Sequence, residues 1–376
     1  MKSALLLLAT ALLAATSRTT LDTRATSKSW AGTSNYFIQS MSDADQDAYL
    51  QQLSADGVKV IRVWVNAQPG GRACTKGSIS VSDVPDFETT LGKYNYETLD
   101  LLDKTLVAIG KYGMKALISP HDGNLLHGPN GNDVYGTRFG SGYFYEHQEA
   151  FDLYDARLRA ILNYRGKHSN RVWKTWTDVI MAFDLQNEPF ASKTEECKYS
   201  SAQSWACGRA KTLRAELGGN NPIKIATGGL GGDISHDCTF LSSAVNCPQI
   251  DMIAVEKVNR ESIVHRYAGP EGSNPNQWTN SYNSWLQKTN NKLVYVEEWG
   301  VNTTRYGIQQ EFPANTRDMN AGGLPWIYWQ ILPSKKCDVR DNDPFGFYID
   351  SGVDVAGQVK GASNANSKQD WSGIVY

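Results

Sequence analysis

Short apolar stretches alternate with longer amphipathic stretches along almost the whole chain, and this alternation limits the available folds more than any other feature. The stretches of strand length lie at residues 30–38, 58–65, 114–119, 179–185, 223–227, 250–255, 292–297 and 324–331. The main helical patterns between them, with apolar residues three and four positions apart, lie at residues 43–55, 96–111, 146–164, 202–217, 278–289 and 309–320. Strands joined by helical crossovers predict an α/β fold, a (β/α)8 TIM barrel whose active site lies at the carboxyl ends of the strands.

The first residues have the pattern of a secretory signal peptide. A charged start at Lys2 is followed by an apolar run from Ala4 to Ala15 and then by small residues. The run is too short to cross a bilayer. We therefore predict that residues 1–20 are a signal peptide, that residues 21–376 form one domain, and that the mature protein is secreted and extracellular.

Composition narrows the class of protein. The mature chain of about 355 residues could form one large barrel or two ordinary domains, but no linker rich in Pro, Ser or Thr divides it. A net charge of −2 argues against nucleic acid or an anionic membrane as a partner. The 11 tryptophans fit a cleft in which aromatic faces stack on sugar rings, although core packing should account for at least half of them.

Six cysteines behind a signal peptide fit three disulfides formed in an oxidising compartment. The sequence does not fix their pairing. Cys197 with Cys207 and Cys238 with Cys247 are close enough in sequence to close small loops. Cys74 and Cys337 are then left as the third pair. No spacing of Cys and His resembles a zinc site, so no metal or other cofactor is expected.

Two of the predicted strands end in carboxylates. Residues 180–189 read IMAFDLQNEP and place Glu188 after an apolar strand, and residues 292–300 read KLVYVEEWG and place Glu298 likewise. Burial raises the pKa of a carboxyl group towards the range in which it can donate a proton near neutral pH. Carboxyl groups in such positions are therefore more often functional than structural. The alternative is a helix cap or a surface ion pair. Glycoside hydrolysis needs one carboxylic acid to protonate the leaving oxygen and one carboxylate to attack the sugar.

These two motifs resemble those of a known enzyme family. Asn187-Glu188-Pro189 and Glu298-Trp299-Gly300 are similar to the acid/base and nucleophile motifs of glycoside hydrolase family 5, whose members are retaining β-glycanases with a (β/α)8 barrel. The resemblance covers essentially the whole mature chain. It implies that Glu188 is the acid/base and Glu298 the nucleophile. Because adjacent strand residues face opposite ways, Glu297 is expected to have a supporting or structural role.

The resemblance implies further site residues at other strand ends. Arg62 would lie beneath the nucleophile, where a bidentate contact would hold a glutamate ionised, and a structural ion pair is the alternative. His121 would lie near the substrate, although a lone histidine is more often structural. Asn187 would bond the sugar 2-hydroxyl, and Trp329 would lie under the sugar at the cleavage point.

The sixth strand departs from the family pattern. In the family this strand runs straight into His-x-Tyr, whereas here residues 256–264 precede His265 and Tyr267. The strand restarts at residues 262–264, or the polar segment is a bulge, or the gene model has translated extra sequence. The expected roles are a sugar-facing imidazole for His265 and a hydroxyl bonded to the nucleophile for Tyr267.

Substrate choice is the least constrained inference. The sequence of residues 32–37, GTSNYF, and the pair Trp329-Gln330 resemble the mannanase-like branch of the family. This implies a monomeric endo-β-1,4-mannanase acting on a polysaccharide. Asp184-Leu185-Gln186 differs from typical mannanases, which leaves open a family 5 β-glucanase acting on cellulose, xyloglucan or a β-1,3- or β-1,6-glucan. A non-catalytic glycan-binding barrel is a remote alternative, because such proteins usually lack one of the two carboxylates.

Overall fold

A computed structural model describes residues 27–72, 79–126, 132–191, 193–234, 237–257, 276–303, 305–333 and 343–376. Within these residues the eight predicted strands are present and close into one parallel barrel, in which each strand pairs with the next and the last with the first. They are β1 (Ala31–Ser34), β2 (Val60–Trp64), β3 (Lys115–Ser119), β4 (Ile180–Asp184), β5 (Lys224–Ala226), β6 (Met252–Lys257), β7 (Leu293–Trp299) and β8 (Trp326–Tyr328). The predicted (β/α)8 barrel is confirmed. The predicted signal peptide lies outside the described residues.

Helices cover the outside of the barrel. Those in the described residues are α1 (Asp43–Asp56), α2 (Glu97–Lys111), α3 (Val134–Phe144), α4 (Gln148–Asn163), α5 (Ser200–Leu217), α6 (Ser242–Val245), α7 (Gln277–Lys288), α8 (Ile308–Gly322) and α9 (Val355–Asn364). The six predicted helices are confirmed to within two residues at each end. The sequence pattern missed α3, whose helical geometry is interrupted at Gly140 (φ 63°), and it also missed α6 and α9.

Apolar side chains form two layers on either side of the strands. The larger layer lies between the strands and the helices, where alternate strand residues such as Ile61 and Val63 pack outward. The smaller layer fills the barrel interior and consists of Trp30, Val60, Leu117, Met181, Ala182, Ala226, Met252, Ala254, Tyr295, Ile327, Trp371 and Val375. Trp371 packs edge-on against Trp30 with ring centroids 5.3 Å apart, so the C-terminal segment closes the amino end of the barrel. The carboxyl end of the barrel is not covered by this segment.

Two disulfides are present in the described residues, and their pairing differs from the prediction. Cys197 is bonded to Cys238, and Cys207 to Cys247. Cys207 lies within α5 and Cys197 just before that helix begins. At 1.5 Å per residue the helix separates these two Cα atoms by roughly 10 Å, beyond the reach of a disulfide, so the predicted local pairs are wrong. The predicted Cys74 to Cys337 pair lies outside the described residues.

The sixth strand does not end at Val255. Strand β6 continues to Lys257, and its register with β7 shifts between Val255 and Glu256. An irregular step of this kind re-aims the side chains that follow it. Residues 258–275, with the predicted site residues His265 and Tyr267, lie outside the described part of the chain. Among the described residues, no helix has both the length and the apolarity required to cross a bilayer.

Candidate active site

One buried guanidinium organises the carboxyl end of the barrel. Arg62, in β2, has no exposed side-chain surface. Its Nη1 donates to Glu298 Oε2 at 2.9 Å, and its Nη2 donates to Asn187 Oδ1 at 2.7 Å. Further carboxyl oxygens lie 3.3 to 3.5 Å from Nη2, on Asp184, Glu256 and Glu297. The predicted bidentate contact with one glutamate is therefore wrong, because four carboxyl groups share the guanidinium.

Strand β7 brings two successive carboxylates to Arg62. The expectation that only Glu298 could face the site is wrong, since Glu297 Oε2 also lies 3.3 Å from Arg62. The register between β7 and β8 shifts between Val296 and Trp299, and this irregularity interrupts the strict alternation of side chains. Regular alternation returns at Trp299, which packs outward against the helices. Glu297 is fully buried and Glu298 is 5% exposed, so Glu298 lies nearer the cleft.

Glu188 has an unusual backbone conformation. Its φ angle is 46°, the left-handed region that a residue with a side chain adopts at a cost of about 1–2 kcal/mol. Its N–H donates to the carbonyl of Gly228 at 2.8 Å. A Cβ atom added to Gly123 would lie 2.6 Å from the Glu188 carbonyl oxygen, so a glycine is needed for this close approach. Strain of this kind, held by surrounding contacts, is typical of functional positions.

Amide side chains hold the carboxyl group of Glu188 and its neighbour. Asn124 Nδ2 donates to Glu188 Oε2 at 2.6 Å and to Asp122 Oδ1 at 3.0 Å. Asp122 Oδ1 also accepts from Asn187 Nδ2 at 2.8 Å. Asp122 and Asn124 were not predicted as site residues. They follow β3 directly, so their position after a barrel strand was the available signal.

His121 is buried below this network. Its Nε2 lies 2.6 Å from Asp133 Oδ2, and its Nδ1 lies 2.7 Å from Gln186 Nε2. Gln186 Oε1 accepts from the Tyr145 hydroxyl at 2.8 Å, which assigns Gln186 Nε2 as the donor to Nδ1. When the imidazole is neutral, its proton is then on Nε2, which donates to Asp133. Both ring nitrogens are engaged by protein groups, so a sugar contact by His121 would have to replace one of them.

An aromatic wall lies beside Arg62. Trp329 is partly exposed, and its ring stacks on Tyr36 with centroids 5.7 Å apart and 13° between the planes. The same ring meets Trp64 edge-on at 5.7 Å, and the guanidinium carbon of Arg62 lies 4.5 Å from the Trp64 ring centroid. A partly exposed indole face next to the carboxyl groups can stack on a pyranose ring.

Two further buried carboxyl groups were missed by the sequence analysis. Asp184 and Glu256 are both fully buried. Within the described residues, Glu256 Oε2 has no hydrogen-bond partner, and a Cβ at Gly229 would lie 2.0 Å from the Glu256 carboxyl carbon. Both acids lie at the carboxyl ends of apolar strands, a pattern similar to the one that marked Glu188. Glu256 was instead assigned to the polar segment before His265, because the expected motif was absent there.

Burial and mutual repulsion govern the ionisation of these groups. Burial raises the pKa of the Glu188 carboxyl, and the charge of Asp122 adds to the increase, while the hydrogen bond from Asn124 opposes it. Burial, followed by the charge of Glu188, raises the pKa of Glu298 well above its usual range, while Arg62 lowers it. Burial also raises the pKa of Glu256, with the charge of Glu188 next in importance. Arg62 opposes this effect only in part, so the pKa values of Asp184, Glu256 and Glu298 stay above the usual range of a carboxyl group.

Comparisons with known proteins agree with this fold. The sequence profile of the family described as Cellulase (glycosyl hydrolase family 5) matches residues 19–335. Mannan endo-1,4-β-mannosidase A from Aspergillus aculeatus is 24% identical over 343 residues, covering 86% of this chain and 82% of its own. Mannan endo-1,4-β-mannosidase A from Hypocrea jecorina is 23% identical over 342 residues, covering 86% of this chain and 71% of its own.

Solved structures show the same fold. The endo-1,4-β-mannanase from Rhizomucor miehei superposes with a TM-score of 0.66 at 15% identity, covering 89% of this chain and 94% of its own. The endo-1,4-β-D-mannanase from Thermotoga petrophila superposes with a TM-score of 0.63 at 14% identity, covering 89% of this chain and 99% of its own. At these identities the likeness concerns the barrel itself.

Proposed function

The chain belongs to glycosyl hydrolase family 5, and on this premise we propose that it is a retaining endo-β-1,4-mannanase. In this proposal Glu188 is the general acid/base and Glu298 the nucleophile. The observation that carries it is the arrangement around Arg62: Glu298 contacts the guanidinium at 2.9 Å, whereas Glu188 is held by the neutral amide of Asn124. The two carboxyl groups therefore lie in one site with unequal surroundings, as double displacement requires.

We place the proton of the pair on Glu188: burial raises the pKa of both carboxyl groups, but only Glu298 is in direct contact with Arg62. Arg62 stabilises the carboxylate of Glu298 by direct contact, while Glu188 makes no such contact and lies beside the charge of Asp122. In the first step Glu188 donates its proton to the glycosidic oxygen, the bond from the anomeric carbon to that oxygen breaks, and Glu298 attacks the anomeric carbon. In the second step Glu188 takes a proton from water, and the hydroxide oxygen displaces Glu298.

Substrate contacts follow from the groups that line the site. Trp329 would stack under the sugar at the cleavage point, and Asn187, held by Arg62 and Asp122, would bond its 2-hydroxyl. His265 and Tyr267 keep their predicted roles as a sugar-facing imidazole and a hydroxyl on the nucleophile. The choice of β-mannan is supported by the curated relatives named as mannan endo-1,4-β-mannosidases. No cofactor takes part in the mechanism.

The experiment that tests this function is reducing-sugar release from purified polysaccharides. The full mature chain would be assayed on β-1,4-mannan, galactomannan, cellulose, xyloglucan and β-1,3- and β-1,6-glucans, with Glu298→Gln as the inactive control. We expect release from the mannans, and an early drop in viscosity for endo action. Release from a glucan but not from mannan would replace the substrate while keeping the mechanism. Binding without release from any substrate would indicate a non-catalytic barrel.

We also propose that the protein is secreted as a monomer. The predicted signal peptide at residues 1–20 supports export, and the two disulfides of the described residues fit an oxidising compartment. N-terminal sequencing of protein recovered from culture medium should begin close to residue 21. Recovery of the intact protein only from cell lysate would contradict secretion.

A further inference from the structure

We propose that Asn124 is a positioning residue for proton transfer, which holds Glu188 Oε2 and leaves Oε1 to carry the transferred proton. The inference rests on the proposed function, in which Glu188 is the acid/base. Asn124 lies in the 3₁₀ helix Gly123–Leu126 that follows β3. Its Nδ2 donates to Glu188 Oε2 at 2.6 Å. This is a direct contact between an unpredicted side chain and the predicted proton donor.

The orientation of the Asn124 amide is fixed by Asp122. Asp122 Oδ1 accepts hydrogen bonds from both the backbone N–H and the Nδ2 of Asn124, each at 3.0 Å. An ionised carboxylate can only accept, so the nitrogen of the amide must face it. The same nitrogen is the atom that contacts Glu188. Asn124 therefore acts on Glu188 as a donor.

Asp122 also connects this donor to the nucleophile. Asp122 Oδ1 accepts from Asn187 Nδ2 at 2.8 Å, Asn187 Oδ1 accepts from Arg62 Nη2 at 2.7 Å, and Arg62 Nη1 donates to Glu298 at 2.9 Å. The unbroken series of contacts runs through Glu298, Arg62, Asn187, Asp122, Asn124 and Glu188. Such a series sets the position of one catalytic carboxyl group relative to the other, a distance of about 5–5.5 Å in retaining enzymes.

The other oxygen of Glu188 lies beside a glycine. A Cβ atom at Gly232 would lie 3.0 Å from Glu188 Oε1, so the glycine leaves room next to this oxygen. As Oε1 gives its proton to the glycosidic oxygen, Glu188 becomes a carboxylate. The hydrogen bond from Asn124 then becomes charge-assisted and stronger. Because it strengthens along the reaction, it stabilises the transition state more than the bound substrate.

The charged groups around Glu188 determine the expected pH effect. They are Asp122 after β3, Glu256 on β6, Glu298 on β7 and Arg62 on β2. Burial and Asp122 raise the pKa of Glu188, and the Asn124 hydrogen bond lowers it. Removal of this donor should raise the pKa of Glu188 further. The alkaline limb of activity, where the acid loses its proton, should then move to higher pH.

The test is Asn124→Ala in the full mature chain, with two substrates. On β-mannan we expect kcat to fall by about tenfold to a hundredfold, the range for a hydrogen bond to a charged group. On an aryl β-mannoside whose leaving group needs no protonation, the rate of glycosyl-enzyme formation should stay within about threefold of the wild type. The alkaline limb of kcat/KM on mannan should move upward.

The matched control is Asn163→Ala. Asn163 Nδ2 donates to Glu216 Oε2 at 2.8 Å on the exposed surface, so this variant loses the same kind of pair far from the chemistry. Neither its rates nor its pH profile should change. If Asn124→Ala does not fold, Asn124→Asp keeps the shape but replaces the donor with an acceptor. It should show the same selective loss on mannan and the same upward shift.

Two outcomes would overturn the inference. Equal losses on both substrates with an unmoved alkaline limb would mean that Asn124 only supports the fold. Wild-type rates for Asn124→Ala on mannan would mean that the contact is not used. If the wild-type protein cleaves none of the polysaccharides, the proposed function itself is wrong. This result is obtained before any variant is made, so it is distinguished from a failure of the inference about Asn124.

Discussion

Arg157 and Arg62 are both buried arginines of the same barrel, but their partners differ in charge. Arg157, on α4, donates to Glu88 at 3.0 Å and to the backbone carbonyls of Pro120 and Val65 at 2.9 and 3.1 Å. Glu88 also accepts from the Tyr135 hydroxyl at 2.9 Å. Every nitrogen of this guanidinium has an acceptor, and one carboxylate balances its charge.

The Arg62 cluster is not balanced. Four carboxyl groups lie within 3.5 Å of the one guanidinium, on Asp184, Glu256, Glu297 and Glu298. Within the described residues, Arg62 Nε and one oxygen each of Asp184 and Glu256 make no hydrogen bond. A satisfied pair stabilises a particular packing, whereas excess buried charge costs free energy and is typical of groups used in chemistry. The comparison predicts that changes near Arg157 affect stability and that changes near Arg62 affect activity.

The largest effect should come from the two carboxyl groups assigned to catalysis. Glu298→Ala should reduce kcat/KM on mannan by on the order of 10⁴-fold or more, because the nucleophile is lost. Glu188→Ala should cost about 10²–10⁴-fold on mannan, but an activated aryl glycoside should still form the glycosyl-enzyme. With added azide, NMR should identify a β-glycosyl azide from Glu188→Ala and the α-anomer from Glu298→Ala.

The same product analysis can contradict the assignment. Inversion of the anomeric configuration by the wild type would remove the nucleophile role of Glu298. Because Glu297 also reaches Arg62, Glu297→Gln is the matched comparison. An inactive Glu297→Gln together with a nearly active Glu298→Gln would exchange their roles.

The next effect concerns stability at the balanced arginine. Arg157→Met should lower the free energy of unfolding by about 3–5 kcal/mol, because Glu88 would stay buried without its partner. Urea unfolding measures this loss, and residual kcat on mannan should be close to wild type in the folded fraction. Adding Glu88→Gln to the variant should recover part of the stability. A loss below about 1 kcal/mol would show that the pair does not support the fold.

The disulfides offer a second test in which stability should change and activity should not. Each closes a segment of about 40 residues, 41 positions apart for Cys197 and Cys238 and 40 for Cys207 and Cys247. Removing either bridge should cost about 2–4 kcal/mol, mainly because the unfolded chain gains freedom. The double variant Cys207→Ser/Cys247→Ser should show a lower melting temperature and an unchanged kcat. Peptide mapping that recovers a Cys197 to Cys207 bridge would contradict the observed pairing.

The smallest effect is the pH dependence of stability. Burial raises the pKa of Asp184 and Glu256 well above the usual range, so the folded state retains protons that the unfolded state has lost. Stability should therefore fall as the pH rises from the ordinary carboxyl pKa through these raised values. Glu256→Gln removes one of these groups and should flatten the slope, with a gain of about 1 kcal/mol above neutrality.

The control for this slope is Glu149→Gln. Glu149 is an exposed carboxylate paired with Arg138, and its removal should leave the pH dependence unchanged. Chemical unfolding at several pH values between 4 and 9 measures both variants. A steeper slope in Glu256→Gln would mean that Glu256 is ionised in the folded protein and helps to hold Arg62.

Much of the fold could be predicted from local pattern. The eight strands were identified because buried parallel strands are short apolar runs, and the six long helices because their apolar faces repeat at helical spacing. Helix α3 was missed, because its sequence VYGTRFGSGYF contains three glycines and its geometry breaks at Gly140. Glu188 and Glu298 were identified by their positions after apolar strands and Arg62 and Asn187 by the family resemblance, and the structure brings these residues together.

The contacts between distant segments were decided only by the tertiary structure. Pairing of cysteines depends on which helices and loops lie side by side, so sequence proximity favoured the wrong partners. Four carboxyl groups reach Arg62 because the register shifts in β6 and β7. Alternation of side chains along a strand does not predict such shifts. The sequence by itself determined the barrel and the two carboxylate motifs, because these follow from local periodicity. The charge balance around Arg62, the strain at Glu188 and the contact made by Asn124 all depend on residues of strands that are far apart in the chain. Only closure of the barrel brings these residues within bonding distance.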